Sequence, residues 1–160
     1  MGAVAFLSVF LLSFLSGQVK LENKEPAFNK IPKSSFISGT PEDSPSLLIY
    51  KCNQCTLEIE YAEQQHPGAY YAYFIINRRI YHIKELLVPE QMDFYNVSYL
   101  NKSYLLVSSQ DGSASGKACE LFNYYLFSLN EQNKVVRFNS AVNRKFVKKY
   151  MFLKLMNKLK

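Results

Sequence analysis

The segment 100–129 constrains the fold more than any other part of the chain, because its pattern predicts two strands joined by a turn. Residues 103–109 include the aromatic and β-branched side chains that are typical of a half-buried strand. Residues 110–116 contain Gly, Ser and Asp, which favour a turn. A second strand is expected from 117 to about 127, with Cys119 near its start. This β-hairpin predicts a β-rich domain.

Another strand pattern lies at 57–61, where apolar residues alternate with two glutamates. Because successive strand residues point to opposite faces, Leu57, Ile59 and Tyr61 are expected on one face of a sheet. Glu58 and Glu60 then share the other face. They could be imagined as an acid pair, but a two-residue repeat is more typical of a solvated strand face.

Two further strand-like runs, 69–76 and 79–88, follow with a bend at Asn77 and Arg78. The two histidines of the chain lie outside any HExxH spacing, and no third histidine is present. We therefore predict no metal site, no cofactor and no catalytic residues in this β-rich region.

The N-terminal segment predicts export. Residues 3–15 form an uncharged apolar run of 13 residues, which is too short for a membrane-spanning helix. We expect a signal peptide over 1–17, cleaved after Gly17, with an uncleaved anchor as the alternative. The sequons at Asn96 and Asn101 agree with secretion and predict N-glycosylation. The expected location is extracellular.

Residues 18–46 separate this signal from the predicted domain. Four of the six prolines fall in this range, among Lys, Ser, Glu and Asn residues, and its apolar residues show no steady period. We expect a flexible arm, or a pro-segment that is removed, and a folded domain over 47–140. With 48% hydrophobic and 15% aromatic residues, the chain can build a substantial core.

The chain has three cysteines, Cys52, Cys55 and Cys119. An odd number in a secreted chain suggests one disulfide plus a free or intermolecular thiol. The C-x-x-C spacing of the first two could instead mark a redox pair or half of a zinc site. It precedes an alternating strand and has no second pair, so these alternatives have less support.

The C-terminal tail is strongly basic, because nine of the nineteen Lys and Arg residues fall within 134–160 and no acidic residue follows Glu131. A helix over 141–160 would be amphipathic, with one apolar face formed by Val142, Phe146, Tyr150 and Leu153. From Met151 onward the apolar stripe moves round the helix to Met151, Phe152, Leu155, Met156 and Leu159, so one straight helix cannot bury all of these residues against one core. The predicted anion-binding residues are Arg144, Lys145, Lys148, Lys149, Lys154 and Lys158. A sulfated glycan, an acidic protein or an anionic membrane surface would fit them, whereas nucleic acid is not expected for an exported chain. The alternative is that these lysines serve solubility.

Together these features resemble a netrin-like domain over 52–150. The shared order is a Cys pair, the strands AYYAYFII and YHIKELLV, a Ser-Tyr-Leu-Leu strand, a turn with Gly, a late strand near Cys119, and a Ser-Leu-Asn stretch before a helix. The family includes tissue inhibitors of metalloproteinases and the C-terminal domains of complement components. The resemblance implies a mainly β fold, an OB-like five-stranded barrel with a C-terminal α-helix.

The same resemblance implies a disulfide between Cys55 and Cys119, which leaves Cys52 unpaired. It also implies an alternative function, inhibition of a metalloproteinase through Cys52 as a processed N-terminus. That function would need a cleavage after Lys51, because cleavage after Gly17 leaves Gln18 first. No catalytic motif is present in the sequence. The favoured interpretation is a secreted, non-enzymatic module that binds an extracellular protein or an anionic glycan.

Overall fold

The computed structural model describes residues 25–39, 47–52, 55–66, 68–113, 121–132, 134–143 and 147–159. These residues form ten strands and one α-helix: β1 (Ala27–Ile31), β2 (Phe36–Gly39), β3 (Leu47–Cys52), β4 (Cys55–His66), β5 (Ala69–Ile76), β6 (Arg79–Leu87), β7 (Asp93–Tyr99), β8 (Lys102–Gln110), β9 (Phe122–Leu129), β10 (Val135–Asn143) and α1 (Lys148–Met156). The predicted fold class, mainly β with a C-terminal helix, is confirmed.

The strands form two five-stranded antiparallel sheets. Sheet A has the order β1-β7-β8-β9-β10, and sheet B has the order β2-β3-β4-β5-β6. An isolated bridge between Leu87 and Asp111 links the end of β6 to the end of β8. Within the described ranges the two sheets share no strand and do not close into a barrel, so the OB-like barrel is not confirmed.

The predicted alternation in β4 is present. Leu57, Ile59 and Tyr61 are buried, whereas Glu60 is exposed and Glu58 is half-buried. The bend between β5 and β6 also lies where it was expected, and Asn77 and Arg78 have φ values of 51° and 68°. Two consecutive positive φ values match the right-handed twist of the strands that such a turn joins.

The two sheets pack face to face around an aromatic core. The ring of Phe74 in β5 meets the ring of Tyr125 in β9 edge-on at 5.3 Å between centroids. Tyr81 of β6 contacts Phe127 and Phe138 at 5.2 and 5.3 Å, so the outer strands β6 and β10 approach each other through side chains. Offset and edge-on aromatic pairs stabilise such a core beyond the area that they bury.

Sheet A also buries its other face, against α1. This second core contains side chains from three strands and the helix: Tyr95, Val97, Tyr104, Leu106, Tyr124, Leu126, Met151, Phe152 and Leu155. The hairpin of β8 and β9 is confirmed, with Tyr104 paired to Ser128 and Val107 paired to Tyr125. Residues 104–109 are all buried, so β8 is buried on both faces instead of one. Cys119 lies outside the described residues.

The predicted flexible arm is corrected in part. Residues 27–31 and 36–39 form β1 and β2, and Ile31 is 3% exposed in the core between the sheets. β1 pairs with β7, so the folded domain begins before Leu47. The sequence shows no steady apolar period here because strands of four and five residues are too short to produce one. The predicted signal peptide lies outside the described residues.

The predicted helix start is also corrected. Ala141 pairs with Tyr124, so β10 extends to Asn143, and α1 begins at Lys148. The buried face of α1 consists of Met151, Phe152 and Leu155, which belong to the second predicted apolar stripe, whereas Tyr150 of the first predicted face is 57% exposed. The first residues of the expected helix instead form the end of β10, where they pair with β9. The helix that packs on the sheet is therefore shorter than expected. No helix in the described part of the chain is long and apolar enough to cross a membrane.

Candidate functional site

The helix α1 is held on sheet A by one large aromatic side chain. Phe152 meets the rings of Phe28, Tyr99 and Tyr104 edge-on, with centroid separations of 5.6, 5.6 and 5.4 Å. Phe152 has no exposed surface. Because Phe28 comes from β1, Tyr99 from β7 and Tyr104 from β8, the helix position depends on three strands of sheet A.

The C-terminal end of α1 is tied to β10 by two side chains. The Arg137 guanidinium donates to the carbonyl oxygen of Leu159 at 3.3 Å, and the Asn139 amide donates to that of Leu155 at 3.5 Å. The Leu155 carbonyl also accepts from the backbone N–H groups of Lys158 and Leu159, at 3.0 and 3.1 Å. The C-terminal end of a helix carries partial negative charge, which favours a nearby cation such as Arg137.

Two of the predicted anion-binding residues are engaged within the protein. The Lys148 ammonium lies over the rings of Tyr95 and Phe28, at 4.2 and 5.2 Å from their centroids, in cation–π geometry. Lys149 forms an ion pair with Glu25, and both side chains are largely exposed. Such an exposed pair stabilises a fold only slightly, by about 0–1 kcal/mol.

The Asp93 carboxylate, which contacts Tyr95, is also engaged. Asp93 pairs with Lys30 at 2.6 Å and accepts a hydrogen bond from the Tyr95 hydroxyl at 3.3 Å. Burial, with the Asp93 carboxylate as a second cause, raises the pKa of Tyr95 to about 12. Tyr95 is therefore a neutral donor at physiological pH, and Lys30 already balances the Asp93 charge.

The other predicted cations are more available. Lys158 is exposed and Lys154 is half-buried, and neither has an acidic partner in the described part of the chain. Arg144 and Lys145 lie outside it. We define the C-terminal basic surface as Arg137, Lys148, Lys149, Lys154 and Lys158. The sequence reasoning missed Arg137, because its strand was not expected to reach the helix.

The two sequons differ in their surroundings. Asn96 lies in the middle of β7, between Asn29 of β1 and Leu105 of β8, and is half-buried. Asn101 is exposed in the turn between β7 and β8, with φ at 59°. A glycan on Asn101 would extend directly into solvent, whereas one on Asn96 would leave from a paired strand.

Two of the three cysteines, Cys52 and Cys55, are among the described residues. Cys52, the last residue of β3, and Cys55, the first residue of β4, are register partners, and the predicted partner Cys119 is outside the described residues. The Cys55–Cys119 disulfide therefore stays a prediction. In the described ranges no group of three His, Cys, Asp or Glu side chains could hold a metal ion.

One buried polar group on β9 was not expected from the sequence. Asn123 is 1% exposed, and neither atom of its side-chain amide has a hydrogen-bond partner among the described residues. It precedes Tyr125 on the same strand face, and the Tyr125 hydroxyl donates to Glu85 at 3.4 Å. Burial, together with the Glu85 and Asp111 carboxylates, raises the pKa of Tyr125. This end of the inter-sheet core is more polar than the rest.

Comparison with known proteins adds no relative: no protein-family model, curated protein or solved structure matches this chain. The function is therefore inferred from the residues and their geometry.

Proposed function

We propose that this protein is a secreted, non-enzymatic module that binds an anionic glycan or an acidic extracellular protein through its C-terminal basic surface. The observation that carries the proposal is the grouping of Arg137, Lys154 and Lys158 around the C-terminal end of α1. Lys154 lies in the last turn of α1, and Lys158 follows two residues after the last helical residue, Met156. Arg137 reaches the adjacent Leu159 from β10.

The charge balance of this surface supports an anionic partner. Glu25 is its acidic contact within the described residues, and it pairs with Lys149. The three cations at the helix end therefore keep their charge available to a ligand. Clustered like charges raise the local concentration of counter-ions and speed the encounter with an anionic partner, in a manner that salt weakens.

The test is retention on immobilised heparin across a salt gradient, with the full chain. We expect the variant Arg137→Gln, Lys154→Gln, Lys158→Gln to elute at markedly lower salt than the wild type. The matched control is Arg78→Gln, Lys84→Gln, Lys102→Gln, which removes three exposed charges elsewhere. Equal losses in the two variants would show that net charge alone controls retention, and would contradict the proposal.

Secretion and glycosylation belong to the same proposal. We expect the mature chain to begin at Gln18 and to carry sugar mainly on Asn101, because that residue is in an exposed turn. Mass spectrometry of the secreted protein measures both properties. An intact Met1 without glycan, or sugar only on Asn96, would contradict this part.

The netrin-like relationship stays part of this proposal. The strands expected at 69–76, 79–88 and 103–109 correspond to β5, β6 and β8. The alternative function, inhibition through Cys52, needs cleavage after Lys51 within β3, which pairs with both β2 and β4. Binding through the basic surface needs no such cut.

A further inference from the structure

A cleft of about 350 Å³ opens at one end of the molecule, between the β5–β6 turn and the β9–β10 turn. It is lined by Ile76, Asn77, Arg79, Gln132, Lys134 and Val135. Two of these residues are cationic and none is acidic. This volume is at the lower end of the roughly 300–1,000 Å³ typical of small-molecule sites. It is larger than the volume that a single inorganic ion occupies.

Hydrogen bonds hold both turns in place. The backbone N–H of Asn77 donates to the Thr56 carbonyl, and its side-chain oxygen accepts from the Thr56 N–H, each at 3.0 Å. On the opposite wall, the side-chain oxygen of Asn130 accepts from the N–H groups of Gln132 and Lys134, at 3.1 and 2.8 Å. A cleft whose walls are already ordered loses little conformational entropy when a ligand binds.

The two cations of the cleft are not neutralised. The Arg79 guanidinium lies 5.6 Å from the centroid of the Tyr81 ring, and neither it nor Lys134 forms an ion pair within the described ranges. Glu131 lies in the same turn as Gln132, but it lines a neighbouring cleft of about 560 Å³. Arg79 and Lys134 therefore direct uncompensated positive charge into one concave site.

We infer that this cleft binds one sulfated sugar unit, with Arg79 and Lys134 on its sulfate group. A guanidinium presents paired donors to an oxyanion, and an ammonium adds a point charge. The side chain of Gln132 is exposed at the cleft, and its amide can meet a hydroxyl of the sugar. The inference deepens the proposed function, on which it rests for its class of ligand, and it adds a site away from the helix.

The probes are a sulfated heparin disaccharide and inorganic sulfate, each titrated into the full chain by calorimetry. We expect Arg79→Gln, Lys134→Gln to weaken disaccharide binding by about tenfold or more, which is about 1.4 kcal/mol. The variant Lys134→Arg keeps the charge and should keep most of the affinity. The control Arg78→Gln, Lys84→Gln removes two nearby exposed charges that do not line the cleft, and it should stay within about twofold.

The possible outcomes separate this site from the basic surface. If the variant Arg79→Gln, Lys134→Gln binds the disaccharide as tightly as the wild type, the proposed cleft site is overturned. This holds whatever the heparin result for the helix variant, Arg137→Gln, Lys154→Gln, Lys158→Gln. If inorganic sulfate binds as tightly as the disaccharide, the claim that the cleft recognises the sugar is overturned, and the cleft is a site for the ion alone. Loss of disaccharide binding in this variant, with heparin retention unchanged in the helix variant, supports the cleft and contradicts the basic surface.

Discussion

Sheet A and sheet B have the same number of strands but different surroundings. Sheet A lies between sheet B and α1, so it packs on both faces, whereas sheet B, where its side chains are described, contributes its core residues to the face toward sheet A. Two residues on the outward faces show the contrast. Leu106 of sheet A is 0% exposed, and Ile80 of sheet B is 59% exposed.

This contrast explains why the two sheets differ in sequence pattern. A strand with one wet face alternates apolar and polar residues, as β4 does, whereas a strand buried on both faces shows a nearly continuous apolar run. β9 follows the second pattern, because residues 123–129 are all buried. The layer outside sheet A is basic, while the open face of sheet B carries Glu58 and Glu60. The two exposed sides therefore suit different partners.

The largest expected effect is alkaline unfolding. Burial raises the pKa of Tyr95, Tyr104, Tyr124 and Tyr125 in sheet A, and of Tyr61 and Tyr81 in sheet B, above the usual value of 10.0. A tyrosine with a raised folded-state pKa stabilises the fold fully below pH 10.0, and this contribution is lost as pH rises through the folded pKa. For Tyr95 that window is from pH 10.0 to about 12.

We therefore expect loss of the β-sheet circular dichroism in this pH range, together with a rise in phenolate absorbance. Tyr95→Phe removes one ionisation and should move the midpoint to higher pH. Phenolate absorbance that reaches its full value while the circular dichroism stays native would contradict the burial of these hydroxyls, most of which lie in sheet A.

The second prediction compares the outward faces of the two sheets directly. Leu106→Ala should lower the free energy of unfolding by about 2–5 kcal/mol, because it leaves a cavity between sheet A and α1. Ile80→Ala on the open face of sheet B should change it by less than about 0.5 kcal/mol. Urea unfolding of both variants measures the difference. Similar losses would mean that the outer face of sheet B is also covered.

The smallest effect is expected at Asn123 in sheet A. Its buried amide has no hydrogen-bond partner in the described part of the chain, and a buried group without a partner costs about 1–3 kcal/mol of desolvation. Asn123→Leu removes this cost but adds volume, so we expect a gain of about 1 kcal/mol in the free energy of unfolding. Thermal unfolding measures it. A clear loss of stability would show that a water or ligand bonds this amide and that the interior of sheet A is not dry here.

Local patterns determined a considerable part of this protein. The alternation at 57–61, the bend at Asn77 and Arg78, and the hairpin of β8 and β9 were all predicted, because each depends on residues that are close in sequence. The basic character of the C-terminus was likewise a matter of composition.

Only the tertiary structure decided the remainder. β1 is ordered by pairing with β7, as at Phe28 and Val97, and this partner lies far along the chain. Pairing of β10 with β9 places the helix start at Lys148, and of the two predicted apolar stripes it is the one with Phe152 that packs on the sheet. The cleft joins Arg79 and Lys134 from two distant turns. Such contacts depend on which faces the whole chain buries together, and local periodicity does not contain that information.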